Sequence, residues 1–267
     1  MSKRDPIQYP DGFVDSALPS GTFSHSQYSL YRKCGRAYEF RYVKKETTPT
    51  SGAMRRGVLI HTGVEHALRH RMLYGKLPPV DASIAAAKAE HDANDEEVNW
   101  DGESENQVLD RTAQAIRLYY TKGLATVNPI AVEAPLLFKV GTVPIVGFVD
   151  FIDQPVGEPA PWVVDLKTSS KKWSSAMVAT NTQLTLYALG TQTPNVRIDN
   201  IVLREGGADF QREEHTRTRH QLKVLAEDIQ EVADDIKRGR FPMAPIDSWA
   251  CSASWCAYWS KCRGREY

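Results

Sequence analysis

What the chain lacks narrows it first. It has no excess charge, because 33 lysines and arginines balance 33 acidic residues. The overall balance therefore does not mark a nucleic-acid binder, and any basic surface has to be local. No apolar run approaches the ~20 residues of a membrane-spanning helix. The opening stretch MSKRDPIQYPDGF has no apolar segment of the signal-peptide kind, so no secretory leader is expected. The chain reads as soluble and cytoplasmic. There is no internal repeat and no low-complexity tract. Cysteine is scarce, at four residues, and none lies in the CxxC pair usual for structural zinc. In a cytoplasmic chain such cysteines point to metal or redox use before disulfides. The 267 residues suffice for one large domain or two small ones with a real core.

The most informative stretch is 147–167, GFVDFIDQPVGEPAPWVVDLK. It reads as two strands, about 143–153 and 161–168, joined by a Pro/Gly loop. Side chains alternate faces along a strand, so Asp165 and Lys167 share a face, and Asp153 lies opposite Asp150. Two carboxylates converging in apolar strands need a counter-charge. A divalent cation is the economical one, and its chemistry is metal-assisted hydrolysis, typically of a phosphodiester. By itself a DxK triplet is equally an ion pair at a strand end.

Taken in order, residues 1–23 are punctuated by Pro, Gly and Ser and read as a flexible arm. A helix starts at Ser24 or Ser26, with Tyr28, Tyr31, Tyr38 and Tyr42 at core spacing. The same segment concentrates Arg32, Lys33, Arg36, Arg41, Lys44 and Lys45 against Glu39, a candidate phosphate-contacting surface. Residues 52–125 read as a helical lobe. In its first helix, about 55–73, His61 and Glu65 share a face. A histidine there is more often a hydrogen-bonded core residue than a ligand. His66 and His70 read as a solvated pair, and Asp81 as a helix cap. Residues 130–216 read as the sheet core: a strand with Glu133, the DxK pair of strands, a helix at 174–190 with Gln183 and Tyr187 on one face, and strands at 197–204 and 208–216. The helix at 217–238 has a clean apolar stripe, and its acidic face reads as solvated. In the tail, Cys251, Cys256 and Cys262 lie among Trp249, Trp255, Tyr258 and Trp259. With Cys34 they make four thiolates. Their loose spacing leaves zinc open and favours an iron–sulfur cluster.

These motifs, in this order, resemble the PD-(D/E)XK nuclease superfamily in its RecB-like branch. Most similar are the iron–sulfur exonucleases of CRISPR adaptation, their phage relatives and nuclease domains of AddB type. The resemblance covers residues 24–264 through SLYRKC, the His61 helix, GFVD, VVDLK, QLTLY and the three-cysteine tail. It implies an α/β fold with a restriction-endonuclease-like mixed sheet flanked by helices, a helical N-terminal lobe and a cysteine-bound C-terminal tail. That makes one nuclease domain over 24–267, in which 24–45 and 249–264 form an iron–sulfur module. It implies that His61, Asp150, Asp165 and the backbone carbonyl of Leu166 bind Mg²⁺ or Mn²⁺, and that Lys167 is the catalytic lysine. Gln183 and Tyr187 would hold the DNA strand, with Arg32 and Arg36 as further DNA contacts. Cys34, Cys251, Cys256 and Cys262 would carry a structural [4Fe–4S] cluster, with Zn²⁺ as the alternative. Glu65 and Glu133 fall in supporting positions. The implied activity is 5′ to 3′ exonucleolysis of single-stranded DNA in a prokaryotic or phage-infected cell. The partners are DNA, copies of the chain, or recombination and CRISPR-adaptation proteins. Two readings of other classes stand beside it: a non-cutting DNA-binding subunit and a zinc-stabilised binding module. Gly35, where the family often has Pro, and the wide Cys251–Cys256 spacing depart from the family pattern.

Overall fold

The computed structural model describes residues 7–94, 96–100 and 102–264. In chain order its elements are α1 (His25–Lys33), α2 (Gly35–Tyr38), β1 (Thr50–Ser51), α3 (Gly52–Tyr74), α4 (Val80–Asp92), β2 (Val98–Asn99) and α5 (Glu105–Lys122). Then come β3 (Pro129–Val140), β4 (Val143–Asp153), β5 (Trp162–Ser169), α6 (Ser175–Ala179), α7 (Thr182–Thr191), β6 (Asn195–Arg204), β7 (Gly207–Thr216) and α8 (Arg219–Lys237). A π-helical turn, Glu39–Val43, follows α2. Strands β3 to β7 form one five-stranded sheet in sequential order. It is mixed, because β5 pairs antiparallel with β4 and parallel with β6, and β6 pairs antiparallel with β7. The parallel step requires a crossover, and α6 and α7 supply it. Among the described residues no helix is long and apolar enough to cross a membrane.

The described chain divides into two compact units, one built from residues 49–136 and 148–222, the other from residues 7–48, 137–147 and 223–264. In the first, the face of Phe151, Val164 and Leu166 packs on Ile60, Val64, Ala67 and Leu68 of α3 and on Ala115 and Tyr119 of α5. Helix α7 packs on β5 and β6. Helix α3 is capped by Ser51, whose hydroxyl accepts from the Met54 N–H, and ends at Gly75 in the left-handed region. Gly63 lets α3 approach its neighbours: a Cβ there would lie 2.4 Å from Ile116 Cδ1 and 3.0 Å from the Ser83 carbonyl.

Asp153, on the face opposite Asp150 as the alternation requires, is buried with Arg197 at 2.7 Å. Arg197 in turn reaches Asp199 at 3.1 Å. Asp199 accepts from the Tyr119 hydroxyl at 2.6 Å and from both Nε and Nη2 of Arg212 at 2.8 Å. This network joins β4, β6, β7 and α5.

In the second unit α1 starts at its Ser24 cap. Tyr28 donates to Asp228, and Tyr31 to the Arg240 carbonyl at 2.8 Å. Gly35 sits where a Cβ would meet Pro242 at 2.7 Å.

Several expectations need correction. The single helix expected from Ser24 breaks at Cys34, whose extended backbone ends α1. The helix expected over 174–190 is two, because the Asn181 side chain caps a fresh start by accepting from the Leu184 N–H. His66 and His70 are half-buried and bonded, to the Ser83 hydroxyl at 3.0 Å and the Lys76 carbonyl at 2.8 Å. Asp81 does not cap α4. It lies in the first turn and pairs with Arg117 at 2.6 Å. The acidic face of α8 is not simply solvated, since Asp228 takes the Tyr28 hydroxyl and Arg32.

Candidate active site

The site lies in the first unit, where β4 and β5 part. Their antiparallel ladder runs from Asp153↔Trp162 to Phe151↔Val164. Beyond it the Leu166 N–H is taken by the Asp150 carboxylate at 2.7 Å. The Leu166 carbonyl faces His61 Nε2 at 2.9 Å. The other ring nitrogen of His61 stands 3.5 Å from Asp150 Oδ1. One peptide segment therefore ties α3, β4 and β5 at a single point, while the Leu166 side chain is buried in the core against α3.

On the α7 side, Lys167 Nζ contacts Asp165 Oδ2 at 2.7 Å and donates to Gln183 Oε1 at 2.8 Å. The Gln183 amide nitrogen donates to the Tyr187 hydroxyl at 2.7 Å. Gln183 and Tyr187 share a face because they are one turn apart. This chain of bonds fixes where the ammonium sits.

Burial and close approach together set the charges of these four groups. Burial pushes Asp165 up, helped by the neighbouring Asp150, and Lys167 offsets only part of this. Burial also works against the Asp150 charge, yet His61, Lys167 and the Leu166 N–H together hold it below the usual carboxylate range. His61 is disfavoured as a cation by burial, and the Asp150 carboxylate more than compensates, so its pKa rises. Lys167 is likewise held up by Asp165 and Asp150 against its own burial.

The sequence-implied ligands are thus gathered unevenly. His61, Asp150 and the Leu166 carbonyl converge, whereas the Asp165 carboxylate engages Lys167. The carboxylate that completes the convergence is Glu133: its oxygen, a His61 nitrogen and an Asp150 oxygen lie within 4.8 Å of one another. Glu133 has φ +48° inside β3, a left-handed conformation uncommon for a non-glycine residue in a strand. Such strain persists where surroundings enforce it, often at functional sites. A lone glutamate in a strand gives no sequence signal of that twist. Glu65 borders the same recess and pairs with Arg69 at 2.7 Å.

The donor set fits a small hard cation. One imidazole, two carboxylates and a backbone carbonyl gathered at one recess are the nitrogen and oxygen donors that such ions take.

In the second unit Cys34, Cys251, Cys256 and Cys262 all line one cavity, with Leu30, Ala37, Phe40 and Tyr258 in its wall. Burial pushes the thiols of Cys256 and Cys262 up, and the neighbouring cysteines add to it. Arg32 and Arg36 are partly exposed and ion-paired, with Asp228 at 3.4 Å and Glu39 at 2.5 Å.

The family model of the PD-(D/E)XK nuclease superfamily matches residues 22–263. The chain belongs to the PD-(D/E)XK nuclease superfamily. Its five-stranded mixed sheet flanked by helices is the restriction-endonuclease-like fold of that superfamily. A solved protein of Eubacterium rectale, provisionally identified as an exonuclease, is similar with a TM-score of 0.54 and 13% identity, over 92% of this chain and 93% of that one. A second solved protein, SSO0001, is 14% identical over 88% of this chain and 95% of that one, with a TM-score of 0.39. No curated protein sequence matches the chain. Membership makes the protein a nuclease, hence a hydrolase, of a superfamily that uses divalent metals.

Proposed function

We propose that the chain is a metal-dependent deoxyribonuclease that degrades single-stranded DNA from its ends, 5′ to 3′, and that carries a structural [4Fe–4S] cluster. The observation that carries the hydrolytic part is the convergence of His61, Glu133, Asp150 and the Leu166 carbonyl beside the Asp165–Lys167 pair. The exonucleolytic direction rests on the family resemblance.

In this reading His61, Glu133, Asp150 and the Leu166 carbonyl hold Mg²⁺ or Mn²⁺, with Asp165 closing the set from β5. A cation held there would neutralise phosphate charge and lower the pKa of a bound water. Lys167 is a donor aimed at charge that develops on the phosphate, and its aim is set by Asp165 and Gln183. Because the ammonium can only donate, the Gln183 oxygen turns to the lysine, and the Tyr187 hydroxyl accepts from the amide nitrogen and steadies it. Asp150 bonds the Leu166 N–H and thereby fixes the carbonyl of the same residue toward His61.

For the cysteines, a tetrahedral zinc with Zn–S bonds near 2.3 Å would draw sulfurs to about 3.8 Å of each other. Among the described residues, no three thiol sulfurs lie within 4.8 Å of one another. That spread around a common cavity supports a larger group over zinc, and cysteine thiolates are the ligands an iron–sulfur cluster takes.

The test is cleavage of single-stranded DNA labelled separately at its 5′ and 3′ ends, by anaerobically purified protein with Mn²⁺, Mg²⁺ or chelator. Metal-dependent loss beginning at the 5′ end is expected. Asp165→Ala should abolish it with the fold intact, and undiminished cleavage by that variant would rule out the site. Protein that is brown, binds DNA and cuts with neither metal would be a non-cutting subunit instead.

A further inference from the structure

Two tryptophans of the second unit stand where tryptophan is costly. Trp249 and Trp255 are each 66% exposed, although burial of such rings is a main source of stability. They are not scattered: their rings meet edge to face, with centroids 5.6 Å apart. Lys33 Nζ lies 4.9 Å from the centre of the Trp249 ring. The surrounding sequence is strongly basic in a neutral protein. Residues 32–45 and 249–264 together contain eight lysines and arginines and one acidic residue, Glu39.

Trp255 borders the cysteine cavity, but Trp249 does not. Shielding of a cluster therefore leaves Trp249 unexplained. A paired, exposed aromatic surface with a cation on one of its rings has one well-matched partner. Unpaired bases offer π-faces to stack on aromatic rings while the phosphates meet the cations, and the combination tolerates any sequence. Duplex DNA keeps its base faces covered and offers only its backbone to such a surface.

We propose that Trp249 and Trp255, with Lys33, form a stacking site for two unpaired bases of single-stranded DNA. The proposal rests on the reading of the chain as a DNA nuclease, and it adds a binding site on the cysteine-bearing unit.

The test is anisotropy of a labelled (dT)20 strand in chelator, so that nothing is cut, with full-length anaerobically purified protein. Stacking on one aromatic ring is worth about 5- to 150-fold in affinity. Trp249→Ala and Trp255→Ala should each weaken (dT)20 by a factor in that range, and binding of a blunt duplex should change far less. Unchanged (dT)20 affinity, or an equal loss for the duplex, overturns the proposal. If an alanine variant loses its absorbance near 400 nm, Trp249→Phe and Trp249→Leu decide. Phenylalanine should keep most of the affinity and leucine lose it, and equal binding by the two overturns the site. Hydrolysis of bis-p-nitrophenyl phosphate by the unmodified chain tests the nuclease reading separately. Its absence would sink that reading and leave the stacking result standing.

Discussion

Glu133 shows what a residue number hides. Its place in the chain gave it a supporting role, yet its carboxylate stands with His61 and Asp150 where a cation would be held. Glu133→Gln keeps the shape and removes the charge, so the Mn²⁺ concentration needed for half-maximal cleavage should rise about 10- to 100-fold, the range seen when groups supporting a metal are lost. A metal titration of the purified variant checks this. Lys167→Ala should lower kcat by roughly 10²–10³, as loss of a donor to developing charge does, with DNA affinity little altered. Leu166 makes the opposite case. Its contacts to Asp150 and His61 come from the backbone, and its side chain is 1% exposed in the core. Leu166→Ala should therefore cost about 2–5 kcal/mol of stability in urea unfolding and leave metal dependence in place. The sequence pattern singled out Asp150, Asp165 and Lys167 as candidates because strand parity and apolar flanks make their charge conspicuous. It gave Glu133 only a supporting position, because a left-handed φ in β3 leaves no mark in residue order.

At the scale of elements, strand parity was legible and helix interruption was not. The alternation from Phe148 to Asp153 separated Asp150 from Asp153 correctly, since the period of two is imposed by backbone geometry. What Asp153 does depended on residues far along the chain, Arg197 and then Asp199, Arg212 and Tyr119. Pairing of that kind is set by the tertiary fold. The break between α6 and α7 turned on one side-chain cap at Asn181, which competes locally with helix continuation. The buried network gives a prediction here. Asp199→Ala would leave Arg197 and Arg212 short of a counter-charge, and removing one partner of a buried ion pair costs about 3–5 kcal/mol. Tyr119→Phe removes only one of several bonds to Asp199 and should cost about 1 kcal/mol. Urea denaturation of both variants would show this ordering, and equal losses would contradict it.

For the molecule as a whole, the tyrosines set a limit at high pH. Burial raises the pKa of Tyr119 and Tyr187, with nearby carboxylates adding to it. An acid whose folded pKa is raised stays protonated in the folded state while the unfolded chain ionises near 10. The contribution to stability is complete below pH 10 and is lost as pH rises toward the folded values. Each such group should cost about 1.4 kcal/mol per pH unit in that window. Denaturation midpoints measured from pH 9 upward should fall, and Tyr187→Phe should make the fall shallower.

The second unit is also assembled from segments that lie far apart in the chain. Tyr28 finds its partner 200 positions later, at Asp228, and Cys34 meets its fellow cysteines only at 251, 256 and 262. During synthesis the N-terminal helix is made first and must wait, uncovered, while the whole of residues 49–136 and 148–222 is translated. The four thiols cannot be gathered until residue 262 has cleared the ribosome. A chain cut short in α8 would therefore display the tyrosine stripe of α1 with nothing to cover it, a ready mark for the proteases and chaperones that sort unfinished chains.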